Sequence, residues 1–391
     1  MRLGWRRRRR ARGAAPSLQS APDPEVADRT DAAGARGLRL VLGLAAAVVI
    51  AIGCARFSSI IGPTALALVV TICVQPARVL LERIGLGRGF ASAVVIVLVL
   101  LFAIGFSFAL VISVAQFATL LPQYSAQFTE LEHSVGDALS AVGIGQQQVS
   151  AVFAEFDPTK IVAFASGLVG SVFGFGFSTF LVLSLIVFMT LDAGWGRLIA
   201  ARLHPFRPVL VDALFAYTVS VRRYMVVTAL LGAAVALLDT LALWLLGIPG
   251  AVLWGLLAFI TGFIPNIGYW IGIIPPVFLA LLANGWQNAV AVIVIYAVIN
   301  GVIQSGLQPH VVGSAVSLNQ TIAFLSVVVW SAVLGPLGAI LALPLTLLVR
   351  ALLVDANPES RWIRPALGDV EGLAPPKQRK QQRQQRKGMH A

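Results

Sequence analysis

The sequence predicts an all-α integral membrane protein of about eight transmembrane helices. Some of these are expected to be broken or re-entrant, with the N- and C-termini cytoplasmic. Three observations carry that prediction. From Thr240 to Val349 the chain runs 110 residues without an Asp, Glu, Lys or Arg. A water-soluble domain of that length needs charge on its outer faces, so this stretch belongs in lipid. The chain is 58% hydrophobic with a mean hydropathy of +0.86, against ~45–50% apolar for soluble domains. The excess arrives in continuous runs of at least ~18 residues, the length of a helical crossing. A barrel would show alternating segments of about 10 residues instead.

Residues 1–37 are Arg-, Ala-, Pro- and Asp-rich with no apolar period, and read as a disordered cytoplasmic tail. The first span is Leu38–Ala55 and the second Phe57–Leu81, which holds Gly62-Pro63; the tight join at Arg56 suggests a helical hairpin. Arg78, Glu82, Arg83 and Arg88 mark the return to the cytoplasm, and a third span, Phe90–Leu121, leads outward. These spans make a 38–121 transmembrane unit. Residues 122–165 carry acids and a repeat of Phe128, Leu131, Val135 and Leu139 at helical spacing. They read as amphipathic extracytoplasmic helices, either on the membrane surface or packed over the bundle.

A fourth span, 166–191, places Ser166, Gly170, Gly174 and Ser178 at steps of four. Small residues in such a stripe let helices approach closely. The stripe serves packing within the bundle or, on the sharper reading, a homo-oligomer interface. Residues 192–223 are Arg-rich and read as a cytoplasmic loop. The core, 224–353, holds a fifth span, Tyr224–Leu246, ended by Gly247-Ile248-Pro249-Gly250. Three further crossings follow at 251–283, 288–308 and 321–353, an odd number that returns the chain to the cytoplasm. The segment 251–283 exceeds the ~20 residues a crossing needs. It is interrupted at Ile264–Gly268 and at Pro275-Pro276, and reads as a broken or partly re-entrant helix. The last crossing is interrupted by Gly335-Pro336-Leu337-Gly338 and Pro344. Residues 354–391 form a basic cytoplasmic tail. Ten Arg lie in residues 1–40 and nine Lys or Arg in the last 42. With no aromatic residues within the Lys377–Lys387 tract, the tails favour topology and anionic lipid over nucleic acid.

No P-loop, HExxH or paired Cys-x-x-Cys is present, and Cys54 and Cys73 both lie in apolar runs. Neither an enzyme nor a metal or cofactor site is expected. Unwound backbone inside a membrane exposes N–H and C=O groups that can hold a solute. The stretch Thr261–Pro276 is therefore the first candidate for a solute path, with Pro265, Asn266 and Gly268 at its centre. Tyr296, Asn300, Gln304 and Gln308 recur every four residues and share one helical stripe. That stripe must face protein or water, either for interhelical bonding or along a solute path. Asp239 is the lone acid deep in a span. A carboxylate there must be paired, protonated or reached by water, and it is the candidate for proton coupling.

Several motifs together resemble one family. They are Phe263-Ile264-Pro265-Asn266-Ile267-Gly268, Ile274-Pro275-Pro276, Ile299-Asn300, Gln308-Pro309, Gly313, Trp330, Leu334-Gly335-Pro336-Leu337-Gly338 and Leu343-Pro344-Leu345-Thr346. In order and spacing they resemble the AI-2E (autoinducer-2 exporter) family of bacterial permeases over residues 215–355, and Gly247-Ile248-Pro249 fits as well. The resemblance implies a multi-pass inner-membrane permease with the bilayer and a small polar solute as its partners. Some relatives export the quorum-sensing signal autoinducer-2, a small polyhydroxylated molecule; others are linked to sodium/proton exchange. Two positions depart from the family pattern. Gln308 stands where relatives often carry Glu, and Ser314 where they often carry Arg. Loss of an acid and a base together favours a neutral solute.

The resulting expectation is export of a small polar solute by alternating access around the broken segment. The alternatives are a cation/proton antiporter using Asp239, and a non-transporting membrane scaffold that works through its basic tails.

Overall fold

The computed structural model describes residues 41–43, 45–140, 146–153, 176–307 and 318–368. Among these the ordered elements are all helices. Helix α1, Val41–Arg56, opens the described chain. The chain divides into two units at Gly53, and the rest of the description concerns the second, Cys54–Ala391. Its elements are α2 (Ser58–Arg83), α3 (Arg88–Leu120), α4 (Ser125–Ser140), α5 (Gln146–Phe153), α6 (Gly176–Leu203), α7 (Pro208–Leu245), α8 (Ala251–Thr261), α9 (Gly268–Asn284), α10 (Trp286–Asn300), α11 (Gln320–Leu334), α12 (Pro336–Ile340) and α13 (Ala342–Arg350). A π-helical stretch, Gly301–Leu307, prolongs α10. Another π turn, Ala351–Asp355, prolongs α13, and a 3-10 helix, Pro358–Leu367, follows.

Among the described residues, 4 helices are long and apolar enough to cross a membrane: Ser58–Arg83, Arg88–Ser140, Pro208–Leu245 and Trp286–Gln304. Other apolar stretches are shorter helices, including Phe180–Asp192, Ala251–Thr261, Gly268–Asn284 and Gln320–Leu334. After Gly247, Gly and Pro cut the long apolar runs into helices of 11, 17 and 15 residues, each short of the ~20 a crossing needs.

Other helices run past their apolar windows. Helix α7 begins at Pro208 rather than at Tyr224, with the proline in the first turn, where its missing N–H costs nothing. Its 38 residues span about 57 Å, well beyond the ~30 Å of a hydrocarbon core. Most of the 192–223 region expected as a loop is therefore helix. Its arginines ended the hydropathy window but not the hydrogen-bond ladder, because buried Ala213, Tyr217 and Val221 hold that part of α7 to its neighbours.

α3 continues through a 3-10 turn, Leu121–Tyr124, into α4. In α4 the stripe Phe128, Leu131, Val135 and Leu139 is buried or half-buried. Phe128 meets Phe278 of α9 edge-on, with ring centroids 6.1 Å apart. Ser178 lies in the first turn of α6; Ser166, Gly170 and Gly174, along with most of the second acidic segment, lie outside the described residues. Cys54 and Cys73 are free thiols.

Two apolar cores lie at different levels along α7. One joins Leu243 to Trp254, Ile273, Leu279, Val292 and Tyr296 of α8, α9 and α10. The other joins Tyr217, Val221 and Tyr224 to Val69 and Ile72 of α2 and to Leu341, Leu343 and Leu347 at the end of the chain.

Candidate functional site at two opposed hairpin tips

Helices α8 and α9 are the two arms of a hairpin rather than one kinked span. Gly272 of α9 lies against Ala258 and Thr261 of α8. A Cβ built on it would sit 3.1 Å from the Thr261 Oγ1 and 3.7 Å from the Ala258 Cα. A continuous helix would hold residues 258 and 272 about 21 Å apart. The reversal spans Gly262–Ile267. Ile264 N–H donates to the Thr261 carbonyl (2.8 Å) and Gly268 N–H to that of Ile264 (3.1 Å). Asn266 holds φ at 63°, the sole non-glycine residue with positive φ among the described ones. Asn tolerates that left-handed conformation better than other side chains. Gly268 is fixed as glycine because a Cβ there would run into the Thr261 carbonyl.

Both feet of this hairpin stand at the end of α7. The Asn284 Nδ2 donates to the Leu246 carbonyl at 3.0 Å. α8 then descends alongside α7, where Gly255 lets the backbones touch: a Cβ on it would lie 2.8 Å from the Ala236 carbonyl.

The last apolar segment folds back as well. Trp330 Nε1 of α11 donates to Thr346 Oγ1 of α13 (3.0 Å), and Thr346 Oγ1 bonds Ser326 Oγ (2.8 Å). Three side chains thus tie residues 326–330 to residue 346. Gly335 takes the reversal with φ 68° and ψ −150°, and Gly338 passes so close to the Trp330 carbonyl that no Cβ fits. The feet of this hairpin are also joined. Asn319 caps α11 by accepting from Ile322 N–H (2.8 Å), while its own N–H and Nδ2 donate to the carbonyls of Leu367 and Ala366. Asp355 pairs there with Arg364 at 2.6 Å and with Arg350 at 3.4 Å.

The first hairpin packs on the Leu243 end of α7 and the second on the Tyr217–Met225 part, so they enter from opposite ends of that helix. Their tips meet. Ile264 and Ile267 pack with Val327, Trp330, Ala339 and Ala342, and Phe263 joins Leu334 and Leu341. Gly62 of α2 completes the junction against Leu337, whose Cδ1 would be 3.3 Å from a Cβ at that glycine.

The expected site residues do not form one group. Asn266 is exposed at the first tip, Pro265 is half-buried and Gly268 buried. Tyr296 and Asn300 are buried, and Gln304 is half-buried. That stripe bonds along its own helix: Asn300 Nδ2 donates to the Tyr296 carbonyl and Gln304 Nε2 to Asn300 Oδ1, each at 2.9 Å. The π-helical stretch begins directly after Asn300; such local widening is frequent at functional sites. Gln308 lies outside the described residues. Asp239 has no exposed surface, and neither of its oxygens has a hydrogen-bond partner among the described residues. The Tyr296 hydroxyl is likewise unpartnered, and Tyr269 and Tyr296 both lie within electrostatic reach of Asp239.

Several contacts carry no local sequence signal. Pro76 in α2 has no N–H, which leaves the Ile72 carbonyl one turn back without its helical donor. Arg222 of α7 supplies it: Nε donates to Ile72 O (2.9 Å) and Nη2 to Gln75 Oε1 (3.1 Å). Arg78 is buried, pairing with Glu82 at 3.0 Å and donating to the Thr190 carbonyl of α6 at 2.7 Å. The proline signals a vacant carbonyl, but which cation fills it depends on the fold.

An apolar helical bundle in which two helical hairpins meet tip to tip has the build of a membrane transport protein. The sequence model of the AI-2E family transporters matches residues 40–357, and the chain belongs to that family. Over 318 residues it is 27% identical to YhhT of Escherichia coli (strain K12), which is named provisionally as a transport protein; the match covers 79% of this chain and 88% of YhhT. Over 319 residues it is 28% identical to the AI-2 transport protein TqsA of the same strain, covering 80% of this chain and 91% of TqsA. The protein is a transporter rather than an enzyme, with several apolar helices in the bacterial inner membrane.

Proposed function

We propose that this transporter exports a small, neutral, polar solute, with autoinducer-2 or a similar polyhydroxylated signal as the leading class. The observation that carries the reading is the meeting of two hairpin tips that enter from opposite ends of α7. Non-helical backbone at membrane depth survives only where protein or a water-filled path surrounds it. Discontinuous helices of this kind present unpaired backbone groups to a solute, and access alternates when one hairpin moves against its neighbours. Asn266 at the first tip and the Tyr296–Gln304 stripe supply neutral donors and acceptors suited to hydroxyl groups. The AI-2 transport role in the name of TqsA supports the solute class, as does the neutrality of Gln308 and Ser314.

We further propose cytoplasmic termini. Each hairpin returns to the level it left, so neither counts as a crossing. Between Gly247 and the C-terminus only α10 then crosses, an odd number, as the Arg-rich tails require. The decisive experiment is efflux from proteoliposomes with a panel of polyols, sugars and autoinducer-2, with and without pH and sodium gradients. Efflux of a polyol-like solute that falls with Asn266→Ala or Asn300→Leu is expected. Sodium-driven proton movement without any solute efflux would replace this reading with the second one, cation/proton exchange through Asp239. That second reading is favoured by the fully buried carboxylate, which has no hydrogen-bond partner among the described residues.

A further inference from the structure

A groove of about 1100 Å³ runs between α2, α6 and α7, away from the hairpin tips. Leu80, Phe188, Ile199 and Phe215 line it and are each more than half exposed, so it opens sideways onto apolar surface. Gly196 lines it and is exposed, and an added Cβ there would meet nothing within 4 Å. One end is defined by the helix ends themselves. Arg83 closes α2, Leu203 closes α6 and Val211 stands in the first turn of α7, and all three line the groove.

That mouth is cationic. Arg83 is exposed and makes no hydrogen bond or ion pair among the described residues. Arg202 and Arg207 are exposed close by in the chain, while Asp212 has His204 at 3.4 Å. The other two charged lining groups lie deeper. Asp192 is eleven residues from Leu203, and Arg222 is eleven from Val211, which puts both about 16 Å along their helices. Opposite charges at equal depth leave the mouth with the excess of positive charge. Arg222 has already committed two of its nitrogens to Ile72 and Gln75.

We propose that this groove is a binding site for an anionic phospholipid, with the phosphate at Arg83 and an acyl chain along Leu80, Ile199 and Phe215. A basic rim over an apolar trough matches that amphiphile: the head meets cations at the membrane surface and the chain fills space that water would occupy unfavourably. The site would brace α2, α6 and α7 against each other independently of the transported solute.

The test uses the full-length protein in mild detergent, titrated with phosphatidylglycerol, phosphatidylcholine or glycerol phosphate, and read by native mass spectrometry and thermal unfolding. Phosphatidylglycerol should be retained and should raise the unfolding temperature. Phosphatidylcholine should bind at least about fivefold more weakly, the weight of one basic residue at a charged membrane surface, and glycerol phosphate should not compete. Arg83→Gln should erase the preference between the two lipids. Gly196→Trp should weaken both by filling the trough. Equal retention of both lipids by the wild type, an unchanged preference in Arg83→Gln, or full competition by glycerol phosphate would overturn the proposal. Should Gly196→Trp fold poorly, Arg83→Gln decides alone, since that side chain is exposed at a helix end.

Discussion

Gly338 shows how one atom fixes a turn. Its hydrogen in place of a methyl lets α12 lie on the Trp330 carbonyl. Gly338→Ala should therefore lower stability by about 1–3 kcal/mol, the usual cost of overpacking. Gly301→Ala, where an added Cβ meets nothing, should be nearly neutral; thermal unfolding of the two variants side by side checks the contrast. Asp239 behaves oppositely, through what it lacks. A buried carboxylate with no partner is costly, so the nearly isosteric Asp239→Asn should fold at least as well as the wild type. If the protein exports a neutral solute, that variant keeps full efflux in proteoliposomes. If cation/proton exchange is its work, gradient-driven proton movement disappears. Asp239 stood out in the sequence because it is alone in an apolar run. That Tyr269 and Tyr296 lie within electrostatic reach of it did not, since they lie on helices 30 and 57 residues further along the chain.

Among the elements, the hairpins give the sharpest tests. The Ser326 and Thr346 hydroxyls stand 2.8 Å apart, so cysteines at both positions in a background lacking Cys54 and Cys73 have disulfide geometry within reach. Ser326→Cys with Thr346→Cys should cross-link on mild oxidation, shifting mobility on a gel only after proteolysis between the two. A straight kinked span would keep residues 20 apart in sequence about 30 Å from each other, and no cross-link would form. The α2–α7 contact offers a coupled pair. Arg222→Gln should cost about 1–3 kcal/mol by leaving the Ile72 carbonyl unsatisfied. Pro76→Ala restores a helical donor to that carbonyl, so the double variant should lose less than the sum of the singles in a thermal-unfolding cycle. Breaks at Pro265–Gly268 and Gly335–Gly338 were readable from Gly and Pro alone. Whether each break kinks a helix or reverses it depends on what the next segment packs against, and periodicity says nothing about that.

For the molecule as a whole, the two hairpins enter from opposite ends of α7, and on the proposed topology they leave one crossing, α10, between them. Single cysteines at Gly250 and Gly285 should accordingly react with a membrane-impermeant thiol reagent from the same side of the membrane, whereas three full crossings would put them on opposite sides. The sequence by itself determined that this chain lives in lipid, that it is helical, that its family is AI-2E and where its helices break. Those properties follow from hydropathy, local backbone geometry and motif order, all carried by neighbouring residues. Only the tertiary structure decided that the breaks are reversals, that their tips touch, and that Arg222 serves the carbonyl freed by Pro76. The physical reason is distance along the chain. Ile264 and Ala339, or Ile72 and Arg222, are joined by packing and hydrogen bonds across 75 and 150 residues, and no local pattern encodes the partner.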